Sequence, residues 1–248
     1  MGRTLGFRHP IAERFVIPWF HDGHAVRIAH LTDLHFGLVT PLDLLRAAVR
    51  VANESEPDLV VLTGDYVARG RGAIRHIPHV LGELNAPTVA VLGNHDHWVD
   101  AHAVTNALEA AGVEVLTNRS IVKNGIRIVG IDDFGTDNHD VAAAVDGVDE
   151  PFLALSHNPM AAPLLWEQGA QLVLSGHTHA GQVHHPAVTP QVWEKVLGER
   201  YLAGWYREGD ARLYVNPGVG SSTFPWRFGQ ATHRRVAVHE LEPAAEPG

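Results

Sequence analysis

The stretch Val89-Ala90-Val91-Leu92-Gly93-Asn94-His95-Asp96 passes from four apolar residues through a glycine into an amide, an imidazole and a carboxylate. Related stretches occur along the rest of the chain. Ile28-Ala29 precedes Asp33-x-His35, and Leu59-Val60-Val61-Leu62 precedes Gly64-Asp65. Phe152-Leu153-Ala154-Leu155 precedes His157, and Leu172-Val173-Leu174 precedes Gly176-His177-Thr178-His179. Short apolar runs predict buried strands, and a polar residue just past each strand can aim its side chain at one sheet edge. Together these stretches offer Asp33, Asp65, Asn94, His35, His157, His177 and His179 as metal ligands, with His95 left over. Carboxylate oxygens mixed with imidazoles suit manganese, iron or zinc better than calcium, and the chain has no cysteine.

Working outward, the first half alternates strand and helix. Val26–His30 reads as a strand and Leu42–Asn53 as a helix, with Leu44, Leu45, Ala48, Val49 and Ala52 along one side. Strands over Leu59–Leu62 and Val89–Leu92 alternate with helices over Ile74–Leu84, where Pro78 is a potential break, and Ala101–Ala111. The second half is richer in strands. Asn124-Gly125 signals a hairpin between Ile121–Val122 and Ile126–Ile131. Further strands are expected at Phe152–Leu155, Leu172–Leu174, Leu213–Val215 and Val236–Leu241, with helices at Val141–Val145 and Ala161–Gln168. Alternation followed by further strands permits two packed sheets with helices outside. No linker divides the chain, so one domain is expected over residues 26–241, with an N-terminal arm at 1–25 and a tail at 242–248.

A chain of 248 residues with 45% hydrophobic and 19% charged content is that of a soluble globular protein. Its formal charge of −9 argues against broad, phosphate-driven nucleic-acid binding. No apolar run approaches the ~20 residues needed to cross a bilayer. The first residues lack the apolar core of a secretory signal, so the cytoplasm is the expected compartment. Arg3, Leu5, Phe7, Arg8, Ile11 and Arg14 mix basic and apolar character and leave peripheral membrane contact open, although Pro10 and Pro18 favour an extended arm packed on the domain.

The ordered series resembles the calcineurin-like metallophosphoesterases from about Val26 to Val219. Ser175–Val183 and Val215–Gly220 are most similar to a bacterial branch of small phosphodiesterases, some membrane-attached and some linked to hydrolysis of UDP-2,3-diacylglucosamine. Ala180 departs from that branch, which often has a second glycine there. The resemblance implies a four-layer α/β/β/α sandwich and two divalent transition-metal ions, manganese foremost. It assigns Asp33, His35, Asp65 and His179 to one ion, and Asp65, Asn94, His157 and His177 to the other. It also implies attack by metal-bound hydroxide on a phosphodiester or pyrophosphate, in a small-molecule or lipid-linked substrate. A phosphomonoesterase, including a protein phosphatase, and a non-catalytic scaffold on the same fold are the competing classes.

The residues themselves add detail. Asp65 suits a bridging role because a carboxylate has two oxygens. If Gly176–His179 is extended, both of its imidazoles face the same way. His95 is the candidate catalytic group, to stabilise phosphoryl oxygens or protonate the leaving alkoxide. Asp96 either orients His95 or caps the helix near Asp100. Gly64, Gly93 and Gly176 can allow close approach of backbone. His97, His102, His139, His184 and His185 read as structural histidines. The aromatic residues between Trp193 and Phe228 read mostly as packing, with a substrate wall as the alternative, and Arg227 as a possible contact to a second phosphate.

Overall fold

The computed structural model describes residues 9–19 and 24–243. Its strands are β1 (Ile11–Trp19), β2 (Val26–Leu31), β3 (Leu59–Thr63), β4 (Thr88–Val91), β5 (Val113–Val115), β6 (Arg119–Lys123), β7 (Ile126–Gly130), β8 (Phe152–Leu155), β9 (Ala170–Ser175), β10 (Gly204–Glu208), β11 (Ala211–Val215) and β12 (Arg235–Pro243). The α-helices are α1 (Leu42–Glu54), α2 (Ile77–Leu81), α3 (Asn94–Val99), α4 (Ala101–Ala110), α5 (Val141–Ala144), α6 (Ala162–Glu167) and α7 (Thr189–Val192).

Two mixed six-stranded sheets result, in the orders β1-β12-β2-β3-β4-β5 and β10-β11-β9-β8-β7-β6. Strands buried on both faces explain why their sequences are continuously apolar rather than alternating. Ile28, Val61 and Val91 meet Ile128, Leu155 and Leu174 between the sheets. Their neighbours Ala29, Val60 and Ala90 turn outward against Leu45, Val49, Val80 and Leu108 of the helices. On the far side, Val129, Ala154 and Val173 pack against Ala162 and Leu165. The layers are therefore helix, sheet, sheet, helix.

The strands β2, β3, β4 and β5 run parallel, as do β7, β8, β9 and β11. Parallel neighbours deliver their carboxyl ends to one edge, and that edge is where loops of an open α/β sheet gather ligands.

Several elements differ from expectation. The helix expected over Ile74–Leu84 is split into a 3-10 turn at Arg71–His76 and the short α2. Pro78 lies in the first turn of α2, where its missing N–H is harmless, so the helix starts afresh there. The strands β5 and β10 are not expected from the sequence, being too short or too mixed in composition to stand out. Residues of the expected N-terminal arm are drawn into the first sheet as β1, in parallel register with β12, and β12 continues to Pro243. Arg3, Leu5, Phe7 and Arg8 lie outside the described residues.

Candidate metal centre

Each expected ligand follows the carboxyl end of a strand: Asp33 and His35 after β2, Asp65 after β3, and Asn94 at the start of α3 after β4. His157 follows β8, and His177 and His179 follow β9. The backbone turns sharply at most of them. Asp33, His35, Asp65, His177 and His179 all have positive φ, between 46° and 73°. Such conformations cost an L-residue about 1–3 kcal/mol and persist only where the surroundings over-determine them. Gly176–His179 is thus not extended, contrary to the simple reading of its alternation. His177 and His179 sit in left-handed turns on either side of Thr178 and serve different ligand groups. Two glycines allow this crowding. A Cβ at Gly176 would fall on Thr32 Oγ1 and Asp33 Oδ2, and one at Gly93 on Asp65 Oδ1.

In one group, His35 Nε2 lies 2.9 Å from His179 Nε2, and Asp33 Oδ1 lies 3.3 Å from His179 Nε2 and 3.8 Å from His35 Nε2. Asp65 Oδ2 is 3.5 Å from His35 Nε2. In the other, the same Asp65 Oδ2 is 3.3 Å from His157 Nε2. Asn94 Oδ1 lies 3.2 Å from His157 Nε2 and 2.9 Å from His177 Nδ1, and the two ring nitrogens are 3.2 Å apart. Ligands bonded at about 2.0–2.2 Å to one ion stand roughly 2.8–3.6 Å from each other. Only the Asp33–His35 separation falls outside that range.

The acceptor balance supports the same fit. Asp33 Oδ2 accepts from the Thr32 hydroxyl and the His177 N–H, while the buried Asp33 Oδ1 has no hydrogen-bond partner. His157 Nδ1 is 2.7 Å from the Thr63 carbonyl, so it donates there and turns Nε2 toward Asp65 and Asn94. Several lone pairs thus converge where a cation would satisfy them. Asp33, His35, Asp65 and His179 could hold one divalent ion, and Asp65, Asn94, His157 and His177 a second.

Burial pushes His35 down to about 3 and lowers His179 well below the usual imidazole range, so both rings are neutral. Burial also works to raise Asp65, but the charge and hydrogen bond of His157, then His35 and His95, hold it well below the usual carboxylate range. His157 is itself raised to about 10, because Asp65, then Asp33 and Asp133, outweigh its burial. Without metal, a proton on His157 balances Asp65; metal binding must displace it.

The surrounding groups include partners not expected from sequence. His95 Nδ1 lies 2.8 Å from the Ala68 carbonyl, which makes it the N–H donor, and its backbone N–H donates to Asp65 Oδ1 at 2.9 Å. The half-buried ring stands edge-on to His35 at 4.8 Å and against Trp98 at 4.9 Å. Ala68, not Asp96, therefore orients His95. The Asp96 carboxylate accepts from the backbone N–H of Asp65, Tyr66, Val67 and Gly93 at 2.9–3.2 Å. As the third residue of α3, it points back beneath the Asp65 loop, and burial and then Asp65 raise it to about 7. Nor does Asp96 cap α4, because Asp100 takes that role through Ala103 N–H.

Glu199 is a partner that no sequence signal marks. Its Oε1 is 3.5 Å from His177 Nε2, and its Oε2 accepts from Trp193 Nε1 at 2.7 Å. Arg227 is not available for a second phosphate. It donates to the carbonyls of Pro217, Gly218, Gly220 and Thr232 and to His179 Nδ1. Neither residue lies in an apolar-run motif, so only its type near a candidate ligand loop could have pointed to it. The aromatic segment divides: Tyr201 and Tyr214 are core, while Phe224, Trp226 and Phe228 are exposed on either side of Arg227.

The calcineurin-like phosphoesterase family model matches residues 26–181, which carry all seven proposed ligands. Phosphodiesterase YaeI of Escherichia coli (strain K12) is 33% identical over 220 residues, covering 84% of this chain and 80% of that protein. The uncharacterized metallophosphoesterase YkuE of Bacillus subtilis (strain 168) is 32% identical over 231 residues, covering 86% and 78%. The solved structure of TT1561 of Thermus thermophilus shares the fold, with a TM-score of 0.53 at 15% identity over 79% of this chain and 90% of that one. The chain belongs to the calcineurin-like phosphoesterases and is a metal-dependent phosphoric ester hydrolase.

Proposed function

We propose that the chain hydrolyses a phosphodiester or pyrophosphate bond at a binuclear centre formed by Asp33, His35, Asp65, Asn94, His157, His177 and His179. The observation that carries this reading is the meeting of two ligand groups at one oxygen, Asp65 Oδ2. Two divalent ions bound there, with manganese the first choice, supply Lewis acidity toward phosphoryl oxygens and acidify a water.

The chain's own residues do the rest. His95, anchored through Nδ1 on Ala68, presents Nε2 to a phosphoryl oxygen or leaving alkoxide and can donate a proton there. Asp96 acts on the reaction only by holding the Asp65 loop. Glu199 lies behind the His177 ring, while Arg227, which can only donate, holds His179 Nδ1 as an acceptor, so ligation through Nε2 requires His179 to give up its ring proton.

The preference for a diester rests on the exposed apolar side chains tied to this machinery. Trp98 packs on His95, Leu38 follows the His35 loop, and Phe224, Trp226 and Phe228 flank Arg227. Exposed apolar groups on these loops suit an organic or acyl group on the far side of the phosphorus, as in a nucleotide- or lipid-linked substrate such as UDP-2,3-diacylglucosamine. A monoester has no second organic group to place there. The test compares kcat/KM for bis-p-nitrophenyl phosphate and p-nitrophenyl phosphate at identical metal loading, then for a UDP-linked glycolipid and its monoester analogue. Higher values for the diester and the glycolipid are expected. A monoester preference in both pairs overturns this reading in favour of a phosphatase.

A further inference from the structure

The hairpin of β10 and β11 places Arg207 directly opposite Arg212. Like charges in that position repel. The side chains of Arg207 and Arg212 make no hydrogen bond or ion pair among the described residues, and Asp210 in the turn is the acid that acts on Arg212. Both arginines share a strand face with Trp205 and Tyr214, the face turned toward the other sheet. β1 and β10 are each the outermost strand of their sheets. Where these two open edges meet, Arg14, Phe15, Ile17, Trp205, Arg207 and Arg212 line a concavity of about 340 Å³. Arg14 too is without a hydrogen bond or ion pair among the described residues. The floor is aromatic, with Phe15 edge-on to Trp205 at 5.2 Å and against Tyr214 at 4.9 Å.

This concavity is separate from the metal centre. Val215 of β11 pairs with Ser175, immediately before the ligand loop, whereas Arg212 pairs with Leu172, toward the opposite end of the strands. At about 3.3 Å per residue, that register puts Arg212 roughly 10 Å farther from the ligands.

The Arg207 and Arg212 guanidiniums, which make no ion pair among the described residues, stand beside an aromatic and aliphatic floor with Arg14 on the rim, and form a receptor for an anion that carries an apolar group. Guanidinium matches phosphate through paired N–H donors, and Phe15 and Trp205 offer surface to a base or an acyl chain. We infer that the Arg14–Arg207–Arg212 concavity is a second, non-catalytic binding site for a phosphate-bearing ligand whose apolar part rests on Phe15 and Trp205. The ligand can be a soluble nucleotide or the headgroup region of an anionic phospholipid, since both present this chemistry.

The experiment measures binding of AMP, and of vesicles of phosphatidylglycerol in phosphatidylcholine, to three forms of the full metal-loaded chain. These are the wild type, the Arg207→Ala/Arg212→Ala variant and Asp65→Asn, the last to mark binding at the metal centre. At least one probe should bind the wild type and Asp65→Asn alike, and bind the double variant at least about tenfold more weakly. Sensitivity with AMP identifies the soluble source, and sensitivity with vesicles alone identifies the lipid. Diester hydrolysis by the double variant should equal that of the wild type, showing an intact metal centre. The variant should also be at least as thermostable as the wild type when no anion is added, because a like-charge pair has been removed. Should the double variant fail to fold, Arg212→Gln alone serves in its place. Binding of neither probe, or binding that ignores the arginines and follows Asp65, overturns the inference.

Discussion

His95 illustrates how a ligand sequence can contain a residue that need not bind metal. It follows Asn94 directly, yet its Nδ1 is committed to Ala68 O, outside both tight ligand groups. A ring nitrogen of His95 does come within 4.8 Å of His35 and Asp65 ligand atoms, as a group acting on a bound phosphoryl would. His95→Ala should therefore retain most metal by elemental analysis and lose about 10²–10⁴-fold in turnover, the scale of a positioned acid or transition-state donor. Loss of both metals with unchanged activity per metal would make it a ligand or a structural group. At this scale the seven candidate ligands are legible because each stands just after an apolar run. Their outer partners are not. Glu199, Arg227 and the Ala68 carbonyl come from irregular chain, where nothing periodic marks a residue and only the folded path brings it to a ring nitrogen. Asp96 stands out in the sequence but its role does not, since its four backbone donors cannot be inferred from neighbours in the chain.

At the scale of elements, α3 is tied to the loop after β7 by His97, whose Nε2 is 2.7 Å from Asp132 Oδ1. That hydrogen bond raises His97 above the ordinary imidazole value of 6.5. A histidine whose folded pKa is raised adds stability in full below its unfolded value, and loses it as pH climbs through the folded value. The wild type should thus be more stable than His97→Gln on the acid side of 6.5. The gap should narrow as pH rises, measured as the difference in urea midpoints across a pH series. A gap independent of pH would show that the pair is not charged.

The edge strand β1 supports a second expectation. Trp19 is 2% exposed and belongs to the core between the sheets. Trp19→Ala should cost about 3–5 kcal/mol in denaturant titration, as other large core truncations do; a loss under about 1 kcal/mol would mean that β1 is dispensable to the core. Strand β1 is hard to read because Glu13 and Arg14 interrupt its apolar residues and Pro18 lies inside it. An edge strand tolerates such residues where a central strand does not. By contrast, β3 and β4 are legible almost residue for residue, because burial on both faces leaves no polar position to blur them.

For the whole molecule, each proposed ion draws ligands from both sheets. Asp33, His35, Asp65 and Asn94 follow strands of the first; His157, His177 and His179 follow strands of the second. A metal that binds only the assembled sandwich stabilises it by mass action, about 2.7 kcal/mol at a free concentration a hundredfold above its dissociation constant. Chelation should lower the melting temperature, and returned manganese should restore it. A melting temperature indifferent to both treatments would argue against a site shared between the sheets. The layer order follows from strand–helix alternation together with the family resemblance, but the pairing of β1 with β12 does not. It joins segments far apart in the sequence, and local pattern carries no record of such a contact.

The position of β12 has a consequence for how the protein is made. β12 lies between β1 and β2, so β1 waits beside an empty lane until β12 arrives. On the ribosome, β1 and β2 must each present an unpaired edge throughout translation of the intervening chain. Completion of the first sheet therefore waits for β12 to emerge, and a nascent chain stalled before Arg235 would be the form most exposed to strand exchange with its neighbours on a polysome.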